Sequence, residues 1–472
     1  MKPDFCSIPP RKPGSADLAL EIALSRQNNK IIVLDDDPTG TQTVHDIPVF
    51  TSYDEQSVKA GMQAEQNLFF LLTNSRSFSA DKTAREHRKI AQNICSAARA
   101  ARTGFLIISR GDSTLRGHWP LETATLKAEL AKSGYAVDGE IICPFFPEGG
   151  RVTAGDIHYV KQGDDYIPAG ETEFAKDATF GYRSSNLKDW IEEKTQGKIR
   201  AADVSSVSLE ELRGNLDAVQ NKLLNLNGGV MVVNAVEYSD LEVFVIALCG
   251  ALGQGKRFLF RSAAALPRVL GGVSAKSFLQ GEELRGDSSH GGLVIVGSHV
   301  ARSTQQLNNL LELDGLCPIE LDTDLALSPG LLAAEIRRAS RAAEKAIFSG
   351  ETVVLYTKRK LLDPIGMSPE EKLALSVRIA NAVTETVRRI SVRPSFIIAK
   401  GGITSSEIAT NALGAKRAWV LGQAAAGIPV WKLGPESRYS GLPYIIFPGN
   451  VGEPDTLKNI VSGIMETQTI QK

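Results

Sequence analysis

The sequence predicts an α/β protein of two domains, each with a mostly parallel sheet covered by helices, and an active site in the interdomain cleft. Three observations predict it. Short apolar runs bounded by turn residues alternate with longer segments of helical spacing, the pattern of parallel strands buried on both faces. One polar, Gly- and Ser-rich stretch without period, QGEELRGDSSHGG over 280–292, interrupts that alternation. The charged and Gly-rich motifs follow the apolar runs, at the carboxyl edge where open α/β sheets bind ligands. The domains are therefore assigned to 1–280 and 293–472, with a linker at 281–292.

In the first half, strands are expected at 30–34 (KIIVL), 67–73 (NLFFLLT), 105–109 (FLIIS), 140–146 (EIICPFF), 229–233 (GVMVV) and 257–260. Helical spacing marks 82–101 and 241–252. In the second half, strands are expected at 293–296, 352–356, 396–399, 419–421 and 444–447. Helices are expected at 303–313, 330–348, 368–389 and 404–413. The Pro-rich start (Pro3, Pro9, Pro10, Pro13) reads as an extended lead-in arm.

Bulk composition excludes several classes. In 472 residues, Lys+Arg is 53 and Asp+Glu is 54, so a globally basic nucleic-acid binder is not expected. The five cysteines contain no CxxC pair, which argues against a zinc ribbon or a thioredoxin-like motif. The longest apolar stretch, VFVIALCGALG, is about half of what a membrane span needs. No secretory signal is visible, and the chain is expected to be cytoplasmic, without a membrane partner.

The chemistry lies in the strand-end motifs. In LDDDPTGTQT, three adjacent carboxylates (Asp35, Asp36, Asp37) raise one another's pKa unless a cation or a substrate hydroxyl compensates them. Such a cluster suits a metal or a general base, and Thr39 adds a hydroxyl in a tight turn. In SRGDSTLRGHWP, Arg110 and Arg116 bracket Asp112, Ser113 and Thr114, and an arginine fork suits a carboxylate or phosphate. Arg76, after the second strand, is another candidate anion ligand. Gly297-Ser298 leads from a strand into a helix, a junction that binds anions through backbone N–H groups. His299 reads as a lining or structural residue. In AKGGITSSEIA, Gly401 and Gly402 allow a backbone to approach a phosphate, and Thr404 with Glu407 has capping-box spacing. In FPGNVGEPDTL, Gly449-Asn450 forms a turn before the last helix, which Asp455 can cap.

Together these segments resemble the four-carbon acid sugar kinase family. The family's D-D-x-T-G pattern is matched by Asp36, Asp37, Thr39 and Gly40, and its D-S-T-L-R-G block by Asp112 to Gly117. Its G-S turn is matched by Gly297 and Ser298, its K-G-G-x-T-S block by Lys400 to Ser405, and its late run by Gly427 to Ser437. The resemblance covers nearly the whole chain in order. It implies an acid-sugar-binding domain followed by an ATP-binding domain, with ATP and Mg²⁺ as cofactors and a small acid sugar as partner. The γ-phosphate would pass to the terminal hydroxyl of a tetronate or 3-oxo-tetronate. Asp37 or Asp36 would deprotonate that hydroxyl. Asp36, Thr39, Arg76, Asp112, Ser113, Thr114 and Arg116 would bind substrate, with Arg116 and Arg76 on its carboxylate. Ser298, Gly401, Gly402, Ile403, Thr404 and Gly449 would hold the nucleotide.

The chain departs from the family on the sugar side. Thr41-Gln42-Thr43 follows the first motif, Arg110 replaces a lysine, and His118 an asparagine. Asp156 and His158, in a family-typical segment over 148–180, are candidates for lining a different pocket. Two rival readings stand beside the kinase. A haloacid-dehalogenase-like phosphatase would use Asp35 as nucleophile and Asp37 as acid/base, with Asp164-Asp165 as its late acidic pair. A sensor would bind the same ligands without catalysis. The metal ligands, the choice of acid sugar and any homo-oligomer stay open.

Overall fold

The computed structural model describes residues 16–470 except Leu361, Asp363, Ile365 and Asn450. The N-terminal arm, Cys6 and the Asn450 half of the late turn lie outside the described residues. The chain divides into two compact units, Met1–Ala275 and Lys276–Lys472. Residues 276–292 belong to the second unit. There Gly281–Leu284 forms a 3₁₀ turn, and Leu284 joins the core cluster of Val294, Phe396 and Ile445.

Strands of the first unit are β1 (Lys30–Asp35), β2 (Ile47–Phe50), β3 (Leu68–Leu72), β4 (Phe105–Arg110), β5 (Gly139–Cys143), β6 (Arg151–Ala154), β7 (Ile157–Gln162), β8 (Asp165–Pro168), β9 (Ser205–Val207), β10 (Val230–Val233) and β11 (Phe258–Ser262). The main sheet runs β2-β3-β1-β4-β11-β5-β10-β9, and every pairing is parallel. From β1 the chain moves to β3 on one side and returns to β4 on the other. That reversal opens a crevice at the strands' carboxyl ends, where Asp35 stands in register with Leu72 and Arg110. The buried, near-continuous apolar strands explain the topology. Ile32, Leu34, Phe69, Leu71 and Ile107 pack under Val58, Ile90, Ile94, Leu126 and Leu130 of the covering helices. Strands β6, β7 and β8 form a separate antiparallel sheet.

Strands of the second unit are β12 (Leu293–Val296), β13 (Leu316–Leu321), β14 (Thr352–Thr357), β15 (Ile397–Lys400), β16 (Arg417–Ala425), β17 (Ile428–Leu433) and β18 (Pro443–Phe447). Their order is β13-β14-β12-β15-β18-β17-β16, parallel as far as β18 and antiparallel beyond it. Here the reversal falls at β12, which lies between β14 and β15. Among the described residues no helix is long and apolar enough to cross a membrane.

Candidate functional site

The carboxyl ends of β1, β3 and β4 bring the sugar-side candidates together as an interleaved set of carboxylates and arginines. Asp36 is nearly buried and takes a two-bond fork from Arg76, Nη2 to Oδ1 at 2.6 Å and Nε to Oδ2 at 3.1 Å. Nη1 of Arg76 reaches Oδ2 of Asp37 at 3.4 Å. Arg110 lies 3.2 Å from Asp35 and 3.7 Å from Asp36. The compensating cations expected from the sequence are thus supplied by the protein's own arginines.

Asp35 and Asp37 do not share one state. Burial pushes the Asp35 carboxyl up to about 7, against the pull of Arg110. Burial works the same way on Asp37, but Arg76 and two hydrogen bonds from Thr39 outweigh it and hold that carboxyl below its ordinary value. Those bonds run from the Thr39 hydroxyl and backbone N–H to Oδ1 of Asp37, at 2.6 and 2.9 Å. Asp37 also caps the 3₁₀ turn Pro38–Thr41. That turn crosses directly over Asp35: a Cβ on Gly40 would overlap the Asp35 carboxylate. Asp37 is the most open of the three, with its side chain 20% exposed against 2% and 3% for Asp35 and Asp36.

Next to them, Asp112 accepts from Arg116 Nε at 2.6 Å and from the Thr114 hydroxyl. Desolvation is more than offset there by Arg76 and Arg116, so Asp112 stays well below the usual carboxylate range. Arg116 keeps a partly exposed face, 5.0 Å from the Phe174 ring centroid. Ser113 is held through its carbonyl, 2.7 Å from His158 Nε2. His158 is not a pocket residue: it is fully buried, also meets Thr153, and burial lowers its pKa to about 4, so it stays neutral. Asp156 pairs with Lys188 and accepts from Asn234, so its role is also structural.

A buried polar hub beneath the site was not read from the sequence. Glu122 accepts from Ser75 at 2.6 Å and from Arg261 at 3.0 Å. Arg261 also donates to the Arg116 carbonyl at 3.0 Å and fits only because Gly111 carries no side chain. The one available signal was a charged residue inside the apolar run FLFRS.

In the second unit, five of the six nucleotide-side candidates line one pocket of about 310 Å³: Ser298, Gly401, Gly402, Ile403 and Thr404. His299, Glu407 and the apolar Ile379, Ala380 and Val383 complete much of the wall. Gly449 is not in the wall. It abuts Ser298, and its carbonyl accepts from Ser303 at 2.9 Å. Gly401 has φ 117°, a conformation that favours glycine, and a Cβ there would press on Ser298 and Thr404. The Thr404–Glu407 capping box does not form. The turn at Gly401 starts the helix early, as Gly402–Glu407 with Gly401 at the N-cap and no side-chain cap, and a π turn follows. Thr404 therefore sits inside the first turn, against Gly297 and Gly401. Lys400 is fully buried, with Nζ 2.9 Å from the Pro448 carbonyl and 3.9 Å from the Phe447 ring centroid. Among the described residues no group of three or more His, Cys, Asp or Glu side chains is placed to hold a metal ion.

Comparison with known proteins matches each unit separately. Residues 31–270 match the sugar-binding N-terminal domain family, and residues 293–457 the nucleotide-binding C-terminal domain family. The chain is 24% identical over 447 residues to a D-threonate kinase of Salmonella typhimurium, covering 91% of this chain and 96% of that protein. Two solved structures share the fold. One is a Haemophilus influenzae protein (TM-score 0.62, 18% identity, 92% of this chain and 99% of that one). The other is a Salmonella typhimurium LT2 protein with a provisional tRNA synthase name (TM-score 0.65, 16% identity, 91% and 98%).

Proposed function

The chain belongs to the four-carbon acid sugar kinase family, and on that premise we propose that it transfers the γ-phosphate of ATP to the terminal hydroxyl of a tetronate or 3-oxo-tetronate. The observation that carries this reading is the partly exposed, ionised Asp37 within an arginine-bearing crevice. A phosphoryl acceptor needs its hydroxyl oriented, and an aspartate that stays ionised accepts that hydrogen bond. The hydroxyl oxygen bonds to the γ-phosphorus, the bond from phosphorus to the bridging oxygen breaks, ADP leaves, and the hydroxyl proton passes to Asp37. Asp37 is preferred to Asp36 because its side chain is 20% exposed against 3%. Arg116, with its exposed face, is assigned to the sugar carboxylate. Ser113 and Thr114 are assigned to the sugar hydroxyls.

The pocket around Gly401 to Thr404 is assigned to the nucleotide, with apolar residues for the base and Gly-rich backbone for the phosphates. Mg²⁺ keeps most of its water and binds through phosphates and one or two carboxylates. This donor set therefore fits a cation brought in on the nucleotide, where it would neutralise phosphate charge. A cytoplasmic location belongs to the same proposal.

The phosphatase reading is disfavoured by Asp35. A nucleophile must be reachable, and this carboxylate lies beneath Gly40 and against Arg110. Asp165 begins β8 of the small antiparallel sheet and so does not follow a strand of the parallel sheet.

The test is ADP release from ATP and Mg²⁺ across a panel of four-carbon acid sugars. Wild type is expected to turn over at least one of them. Asp37→Asn is expected to lose about 10²- to 10⁴-fold in kcat while its ADP affinity is unchanged. Inactivity on the whole panel together with hydrolysis of phosphoesters would sink the kinase reading, and an unaltered kcat would remove Asp37 as the base.

A further inference from the structure

Arg359, two residues past the end of β14, is a charged group whose hydrogen bonds are only partly used. Nη2 donates to the Ser298 carbonyl at 2.6 Å and to the Thr304 hydroxyl at 2.7 Å. Both acceptors are neutral. The other two nitrogens, Nε and Nη1, are buried and find no hydrogen-bond partner. No carboxylate pairs with this guanidinium among the described residues. The adjacent Lys358 takes Asp322 and Asp324, and Arg302 takes Glu453. Burial weakens the guanidinium's hold on its proton, with no charged partner opposing it.

A half-buried cation with unused donors is costly to keep unless something anionic completes it. Its position suggests which anion. Ser298, which Arg359 grips by the carbonyl, lines the pocket assigned to the nucleotide. The apolar Ile379, Ala380 and Val383 in that wall suit a base, which leaves the Ser298 end for the phosphates. With Nη2 committed, the remaining Nε–H and Nη1–H are charge-assisted donors that suit separate phosphoryl oxygens.

We propose that Arg359 is a phosphate ligand of the nucleotide, with one arm fixed by Ser298 and Thr304 and its free N–H groups donating to phosphoryl oxygens. This inference rests on the nucleotide-site reading above and adds a residue that the motifs did not include. The same arm ties β14's outgoing loop to the Gly297-Ser298 turn. Arg359 would then act twice, shaping the turn and binding the ligand.

The deciding experiment is calorimetric titration of wild type, Arg359→Gln and Arg359→Lys with ADP and, separately, with adenosine. A phosphate ligand is felt only by the ligand that carries phosphate. Arg359→Gln is expected to weaken ADP by about ten- to a hundredfold and leave adenosine unchanged, since a hydrogen bond to a charged group is worth that much. Arg359→Lys, which keeps the charge but loses the separate Nε and Nη1 donors, is expected to fall between. Equal ADP affinity in wild type and Arg359→Gln would overturn the proposal. So would a parallel loss of ADP and adenosine, which marks a role confined to shaping the turn. Wild type that binds neither compound would instead overturn the nucleotide-site reading itself.

Discussion

Neighbouring aspartates of one motif end up with different chemistry because each meets a different environment. Asp35 faces the interior and Arg110, and its carboxyl rises to about 7. Asp37 faces outward beneath Arg76 and Thr39, and stays ionised. Spacing alone could not separate them, because the arginines that do so come from β4 and from the loop after β3. Lys400 is the opposite case, a cation taken out of water. Burial, together with nearby Arg302, lowers its pKa to about 7. Below pH 7 it is charged in both the folded and unfolded states, and the full cost of burying the charge is present. Between about 7 and its unfolded value of 10.5, the unfolded chain binds a proton that the folded chain lacks, so stability rises with pH across that window. Lys400→Met abolishes this linkage. The thermal midpoint of wild type relative to Lys400→Met is expected to climb from pH 7 to pH 10. A difference that stays flat over that range would place the lysine's folded pKa near its ordinary value.

At the scale of the element, the motifs work through turns that hold strand ends together. The Pro38–Thr41 turn lies over Asp35 with no room for a side chain at Gly40. Gly40→Ala is expected to cost about 1–3 kcal/mol of stability, as overpacking does, and to lower activity by displacing Asp37. Denaturant unfolding with matched kinetics checks this, and wild-type values for both would show that the turn tolerates a Cβ. The strands that carry the site were legible because they are long apolar runs ended by chemical punctuation, as in KIIVLD and FLIISR. The small sheet β6 to β8 was not, although Gly155-Asp156 and Gly163-Asp164 are hairpin turns, with positive φ at Gly155, Asp156 and Gly163. Its strands are short and partly polar, and their period is hidden by charged residues. The antiparallel β17 was missed for a similar reason: Pro429 and Lys432 interrupt its pattern. The Glu122–Arg261 hub was illegible in another sense. Its members are 139 residues apart, and only the sheet order brings β11 beside β4.

At the scale of the whole molecule, each unit carries a mostly parallel main sheet whose strand order reverses beside its first strand, and each has its candidate residues at that reversal. The first gathers carboxylates and arginines; the second gathers glycines, hydroxyls and a guanidinium with two unpartnered nitrogens. That division of chemistry is what a phosphoryl acceptor and a phosphoryl donor require. The near-zero net charge of the chain hides it, because opposite charges are sorted locally rather than in bulk. The most direct measurement of the transfer is phosphorus–proton correlated NMR of the product formed from ATP, Mg²⁺ and the best-processed four-carbon acid sugar. The expected product is a phosphomonoester coupled to the protons of the terminal carbon. Phosphate appearing only as free inorganic phosphate, or bonded at the carboxylate or an inner hydroxyl, would contradict it.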